Sequence, residues 1–232
     1  MTNIKVQIKI KQRANKLSSN DYDNFEPWMI EEAMNKAQLE WCRRQLHGGN
    51  QYREGAEQSV RRVDDLEPLL KPYPLTGITG KVYFESVDIP KDYFQFNKVI
   101  VSGNKGPCKA ERIIAFQTEE ANVEVLLRDE NYKPSFEWRE TFCTLVGSKV
   151  RVYTNDAFTI NEATLLYYRL PREIKFINSV DISTGLVHTK DQECEFKDDI
   201  TELIIDLAAS ILTGDIESQQ TQRLAGLAEQ NN

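Results

Sequence analysis

The chain has 232 residues, of which 40% are apolar and 28% are charged, and its formal net charge is −7. This is the composition of a globular chain with a hydrophobic core, which excludes a disordered or fibrous protein. No apolar run approaches the roughly 20 residues of a membrane helix, and the lysine-rich start lacks the apolar core of a signal peptide. We therefore expect synthesis in the cytoplasm and no contact with a membrane.

Charge is distributed unevenly along the chain. Residues 1–20 carry five basic side chains and no acidic one, whereas residues 191–217 carry nine acidic side chains and a single basic one, Lys197. This dipolar arrangement suits self-association or docking better than binding to duplex nucleic acid, which usually requires a basic footprint.

The N-terminus alternates aliphatic and polar residues from Ile4 to Lys11, which predicts a half-buried strand. Such a strand pairs either with the edge of the protein's own sheet or, as an extended arm, with a neighbouring subunit. A polar linker follows. We therefore predict that residues 1–26 form an N-terminal arm made of a strand and a linker.

Two helices are predicted next. The first starts at Pro27 and ends near Leu46, before Gly48 and Gly49. The second is predicted from about Tyr52 to Leu70, with two prolines closing it. The apolar face of the first helix contains Ile30, Ala33, Met34, Ala37 and Trp41.

Beyond Gly80 the pattern becomes that of short strands separated by turn residues, which is typical of an antiparallel sheet or small barrel. Gly106-Pro107 and Asn155-Asp156 are predicted turns. The predicted strands are Lys81–Ser86, Lys98–Ser102, Glu111–Phe116, Asn122–Leu127, Phe136–Trp138, Lys149–Tyr153 and Thr164–Leu170.

The last predicted element is an amphipathic helix that starts at Asp199 and ends at Gly214. Its apolar stripe contains Ile200, Leu203, Ile204, Leu207, Ala208, Ile211 and Leu212. A weaker amphipathic tail follows, which has too few apolar residues to stand alone and either frays or docks on a partner protein. The residues predicted to dock are Ile216, Gln220, Arg223, Leu224 and Leu227.

Together these elements predict an α+β fold, in which an N-terminal helical hairpin and a C-terminal helix pack with a central antiparallel β-domain. The predicted parts are a helical core of residues 27–74 and 196–214, a β-domain of residues 75–195 and a docking tail of residues 215–232.

The sequence offers no recognisable catalytic motif or cofactor site. His47 is expected at a helix C-terminus, and His188 has no neighbour at the spacing of a zinc site. The four cysteines are widely spaced, which favours buried free thiols over a disulfide framework or a zinc site. The stretch from Ser102 to Pro107 lacks the ending of a phosphate-binding loop and is interpreted as a hairpin turn.

Two charged groups keep alternatives open. Asp64-Asp65 and Asp198-Asp199 are the acidic pairs that a Mg²⁺ ion would use, although caps or solvated helix faces fit them better. A basic cluster of arginines forms either a solvated helix face or part of a subunit interface, where arginine pairs with carboxylates. The predicted subunit-interface residues are Lys5, Lys9, Arg43, Arg44, Arg61 and Arg62.

Several segments are similar to virion structural proteins of crAss-like bacteriophages. Ala14–Trp28 and Asn35–Gly48 resemble the start of such proteins, and Val87–Tyr93 resembles the step into the β-domain of short-tailed phage connectors. Tyr168–Pro171 and Cys194–Phe196 complete the pattern. The resemblance implies a non-catalytic neck protein that joins portal to tail in a homo-oligomeric, twelve-fold ring, through which DNA passes without specific binding.

Two other functions are weighed against this one. The first is a nucleic-acid-binding accessory protein that uses the helices between Arg43 and Arg62, and salt-dependent DNA binding is its signature. The second is a hydrolase with a metal at Asp64 and Asp65.

Overall fold

A computed structural model of the chain describes residues 1–17, 25–47, 64–182 and 184–230. For residues 15–17, 47 and 215–230 it describes the backbone alone. The chain divides into two compact units, one made of Met1–Pro68 with Pro171–Asn232 and one made of Leu69–Leu170. The first unit is helical and the second contains an eight-stranded sheet, so the α+β class is confirmed.

The first unit contains α1 (Asn3–Leu17), α2 (Pro27–His47) and α4 (Asp198–Gln230). Helix α3 (Val123–Arg128) belongs to the sheet unit. In α2 the predicted apolar face is buried, and Trp41 packs edge-to-face on Phe196 with ring centroids 5.0 Å apart. No helix in the described ranges has both the length and the apolar character needed to cross a bilayer.

The N-terminal strand prediction is wrong, because residues 3–17 form helix α1. The alternating aliphatic residues contain a second pattern: Val6, Ile10 and Ala14 are four residues apart, share one helix face and are fully buried. Ile4 and Ile8, which the alternation assigned to the same buried face, are exposed. Burial against α4 selects the helical period over the strand period.

The C-terminal helix also departs from prediction, since α4 continues through Gly214 to Gln230. Gly214 therefore does not end the helix. The buried stripe is also rotated: Leu203 is exposed, whereas Ile205 and Ala209 are fully buried. Both α1 and α2 pack on α4, so its buried face is wider than the single stripe that the sequence suggested.

The sheet contains β1 through β8, and its spatial order is β1-β8-β4-β5-β6-β7-β3-β2. All neighbouring pairs are antiparallel except β5 and β6, which are parallel. The strands are Leu70–Leu75, Gly77–Thr79, Tyr83–Ser86, Tyr93–Lys105, Cys108–Gln117, Glu140–Val146, Lys149–Tyr153 and Thr159–Arg169.

The sheet curls around one core. Thr79 Oγ1 on β2, the last strand in the order, lies 3.5 Å from the carbonyl oxygen of Ile160 on β8, the second strand. Strands from across the sheet contribute to this core, which includes Phe84, Val99 and Leu165. A strongly twisted sheet buries one face on itself in this way.

In the described part of the helix predicted from Tyr52 to Leu70, residues 64–66 are helical and Glu67–Leu69 form a 3-10 turn, so this part of the prediction is confirmed up to its last residue. Residues 52–63 lie outside the described part of the chain, and Leu70 already begins β1. Pro72 and Pro74, expected to close that helix, lie inside β1 opposite Leu166 and Thr164. Proline lacks an N–H donor and is tolerated there because β1 is an edge strand.

Most of the predicted strands and both predicted turns are confirmed, although only the turn at Gly106 joins two paired strands. Gly106 has a positive φ in the turn that pairs Lys105 with Cys108, and Asn155 and Asp156 both have positive φ between β7 and β8. Two strand predictions are wrong. Asn122–Leu127 forms mainly α3, and Phe136–Trp138 forms a turn.

The unit boundary also differs from the predicted β-domain of residues 75–195. The compact sheet unit ends at Leu170, and the residues from Pro171 onward belong to the helical unit. The short strands near this boundary have no periodic pattern in sequence, so the sequence contained no signal for the change of unit.

Candidate functional site

No group of metal-binding side chains occurs in the described part of the chain. Asp64 pairs with Lys197, and Asp198 lies 3.0 Å from the N-terminal amine. One residue of each acidic pair therefore contacts a cation of the protein itself. In the loop between Ser102 and Pro107, Asn104 Oδ1 accepts a hydrogen bond from the N–H of Ala110 at 2.8 Å, as part of the hairpin.

The structural feature that sequence reasoning missed is a two-stranded ribbon, residues 174–192. Paired main-chain hydrogen bonds join Lys175 to Gln192 near its base, and a bridge joins Val180 to Val187 near its end. It carries no regular strand pattern in sequence. An isolated hairpin is marginally stable in water, so its position depends on what anchors it.

Helix α2 provides the first anchor through polar side chains on one face. Asn35 Oδ1 accepts from the N–H of Ile174 at 2.7 Å, and Asn35 Nδ2 donates to the Ile174 carbonyl at 3.1 Å. One turn further along α2, Gln38 Nε2 donates to the carbonyl of Arg172 at 2.8 Å. Side chains of α2 thus supply the hydrogen bonds that a neighbouring strand would otherwise give to the backbone of Arg172 and Ile174.

Helix α1 provides the second anchor. Asn3 Nδ2 donates to the carbonyl of Lys175 at 2.9 Å and to Asp191 Oδ1 at 3.0 Å. The same carboxylate oxygen accepts from the N–H of Ile177 at 2.9 Å. These hydrogen bonds hold the pKa of Asp191 below its usual value, the bond from Asn3 having the largest effect.

The third anchor is a polar pair at the centre of the ribbon. Glu31 Oε1 on α2 lies 3.0 Å from His188 Nε2, and Glu31 Oε2 accepts from the N–H of Phe176 at 3.0 Å. Glu31 is buried and His188 nearly so. His188 has no sequence neighbour at the spacing of a zinc site, and its pairing with Glu31 shows that it is part of the ribbon's attachment.

The ribbon tip, residues 180–182 and 184–187, presents aliphatic side chains to solvent. Leu186 is 69% exposed and Ile182 is 62% exposed. The Asp181 carboxylate is engaged in the turn, where it accepts from the N–H of Thr184 at 3.3 Å. The other exposed aliphatic residues of the ribbon are Ile177, Val180 and Val187.

The sheet unit carries a separate apolar surface, the aromatic groove, with a volume of about 540 Å³. Paired main-chain bonds between Ser135 and Glu140 close a short loop, in which Arg139 has a positive φ. That loop holds Trp138 outward, 79% exposed. The apolar residues lining the groove are Phe116, Tyr132, Pro134, Phe136, Trp138 and Ala157.

Four of the five charged side chains that line the aromatic groove form two ion pairs. Lys105 Nζ lies 3.7 Å from Glu137 Oε1, and Lys133 Nζ lies 3.4 Å from Glu130 Oε1. The fifth, Glu140, adds a carboxylate, so the groove combines aromatic side chains with charged and polar ones.

The two lysines predicted at a subunit interface, Lys5 and Lys9, lie in different environments. Lys9 forms an ion pair with Glu202 of α4, and Arg13 beside it contacts both Glu202 and Asp206. Lys5 is exposed. The basic N-terminal and acidic C-terminal segments are thus partly joined within one chain.

The predicted interface arginines are only partly described. Arg43 and Arg44 are exposed on α2, and Arg44 pairs with Glu40 one helical turn away. Arg61 and Arg62 lie outside the described residues.

The predicted docking residues of the tail lie on the part of α4 whose backbone alone is described. Ile216, Gln220, Arg223, Leu224 and Leu227 are therefore placed on a helix, and their docking role stays a prediction.

Three of the four cysteines are buried, as expected, whereas Cys108 at the start of β5 is exposed. Burial raises the pKa of the Cys42 and Cys143 thiols to about 12 and also raises that of Cys194.

No protein-family model matches the chain, and comparison with curated proteins finds no match.

Proposed function

We propose that the chain is a structural, ring-forming neck protein of a tailed bacteriophage, which joins the portal to the tail. In this proposal it is a virion component made in the host bacterial cytoplasm. Its partners are copies of itself in a twelve-fold ring, the portal protein and other neck or tail proteins. DNA passes through its channel without specific contacts.

The observation that carries the proposal is that each compact unit exposes an apolar surface of its own. The helical unit presents the aliphatic ribbon tip, and the sheet unit presents the aromatic groove with Trp138. Exposed apolar patches mark interaction sites, and a closed ring needs two different surfaces on every subunit.

Two further properties support the proposal. The sequence resembles crAss-like phage connectors in segments spread over most of its length. The net charge of −7 is compatible with a channel through which DNA moves without binding tightly.

The experiment is to purify the full chain, alone and mixed with the portal protein of the same phage, and to image both samples by electron microscopy. We expect rings, either free or seated on the portal. A chain that forms no ring in either sample contradicts the proposal.

A further inference from the structure

We infer that a basic pocket at the base of the ribbon binds a phosphate group. This basic pocket is lined by Arg172 and Lys175 on one side and by His188–Gln192 on the other. Its volume of about 540 Å³ lies within the range of small-molecule sites. The inference goes beyond the proposed function and does not rest on it.

The lining of the basic pocket selects a small, multiply charged anion. Arg172, Lys175 and Lys190 contribute three positive charges, whereas Asp191 contributes one negative charge. Among the described residues, no aliphatic one lines the pocket, so an apolar molecule gains little burial there. Phosphate oxygens accept hydrogen bonds from both the guanidinium and the ammonium group, and each such bond is strengthened by charge.

Two carboxylates beside the pocket are already engaged. Asp191 Oδ1 accepts hydrogen bonds from Asn3 Nδ2 at 3.0 Å and from the N–H of Ile177 at 2.9 Å. Lys175 Nζ lies 3.4 Å from Glu173 Oε2, but Glu173 is 73% exposed. An ion pair with so exposed a partner is weak, so Lys175 is able to turn to an anion in the pocket.

The other two cations are held less closely. Arg172 Nε lies 3.9 Å from Glu195 Oε2, which is a long contact. Lys190 is exposed and forms no ion pair with any residue in the described part of the chain. The carboxylate of Glu31 lies 3.0 Å from His188 Nε2 and is therefore engaged by a wall of the pocket itself. A bound phosphate thus meets three cations without first breaking a buried ion pair.

The backbone around the pocket is fixed before any ligand binds. Paired main-chain hydrogen bonds join Lys175 to Gln192 across the ribbon. Asn3 Nδ2 donates to the carbonyl of Lys175, and Gln38 Nε2 donates to the carbonyl of Arg172. Cations on a fixed backbone lose less conformational entropy on binding than cations on a mobile loop.

The test is isothermal titration calorimetry of the full chain with sodium tripolyphosphate at low ionic strength. Lys190→Gln removes the unpaired cation of the pocket. Lys109→Gln is the matched control, because Lys109 is an exposed lysine on β5 that does not line the pocket. Neither lysine forms an ion pair with the described residues, so both variants should keep the circular dichroism spectrum and melting temperature of the wild type.

We expect one tripolyphosphate per chain and an affinity that falls as salt is added. Lys190→Gln should weaken binding by about three- to tenfold, which is the usual effect of one charge-assisted hydrogen bond from an exposed group. Lys109→Gln should bind as the wild type does. Acetate at the same ionic strength should give no binding heat, because it carries a single negative charge.

A DNA duplex added at the same phosphate concentration distinguishes two sources of the phosphate group. Displacement of tripolyphosphate by the duplex supports the site and assigns it to a nucleic-acid backbone, whereas retained binding supports it and assigns it to a free anion. Three results would overturn the inference: no binding heat at millimolar tripolyphosphate, equal affinities of the wild type and Lys190→Gln, or an equal loss of affinity in Lys109→Gln.

Discussion

Glu31 and His188 lie 157 positions apart in sequence and meet with 3.0 Å between Oε1 and Nε2. The second oxygen of Glu31 accepts from the main chain of Phe176, so one carboxylate holds both strands of the ribbon to α2.

Replacement of Glu31 by alanine should destabilise the helical unit. The change leaves a buried N–H and an imidazole without their acceptor, which typically costs about 2–4 kcal/mol. Urea unfolding followed by circular dichroism measures the loss. Glu32→Ala is the matched control, because Glu32 is the exposed neighbour on the same helix. Equal stability of the two variants would show that the pair contributes nothing.

The cysteines should react with a thiol reagent in two classes. Cys108 is exposed, whereas burial holds the thiols of Cys42, Cys143 and Cys194 in the unreactive protonated form. At mildly alkaline pH we expect one fast equivalent from the native chain and three more after denaturation. Cys108→Ser should abolish the fast phase. Any fast equivalent in that variant would contradict the burial of the other three.

Lys9 and Lys5, both predicted at a subunit interface, should respond differently to charge reversal. Lys9→Glu faces Glu202 and should lower the free energy of unfolding by about 1 kcal/mol, because a partly exposed pair is worth little more than that. Lys5→Glu changes an exposed side chain and should leave stability unchanged. Thermal melting at low and high salt measures both, and the Lys9 effect should shrink as salt screens the charges. Identical melting temperatures of the two variants would show that the ion pair between Lys9 and Glu202 does not contribute to stability.

Gly214→Ala tests whether α4 is continuous. No atom lies within 4 Å of the position that a Cβ would occupy, and Gly214 does not have the positive φ of a helix-ending glycine. Alanine in a helix interior is favoured over glycine by about 1 kcal/mol, so the variant should be more helical and more stable. Circular dichroism at the helical minimum gives the result. A loss of stability would mean that Gly214 adopts the left-handed conformation in which alanine is strained.

Sequence patterns predicted correctly the elements that are determined by interactions between residues close together in the chain. The Gly106 and Asn155-Asp156 turns and the strand Lys149–Tyr153 were predictable because turn chemistry and alternation act within a few residues. The N-terminal helix was not, since Val6 and Ile10 fit both a strand and a helix. Packing against α4, which lies about 190 positions away, decides between them.

The candidate surfaces were less predictable than the fold. The ribbon is held by side chains of Asn3, Glu31 and Asn35, each of which reads in sequence as an ordinary polar helix position. A sequence signal existed only for the tip, where Ile182, Leu186 and Val187 stand among turn residues without a periodic neighbour. Exposed aliphatic residues in a loop are a pattern that indicates an interface.

The central claim, that the chain is a ring-forming neck subunit, is tested most directly by its copy number in purified virions. Quantitative mass spectrometry against the portal protein gives that number without assumptions about assembly in solution. The account predicts a fixed number of copies per particle, equal to that of a complete twelve-fold ring. Absence of the chain from particles, or a copy number that varies between preparations, would contradict it.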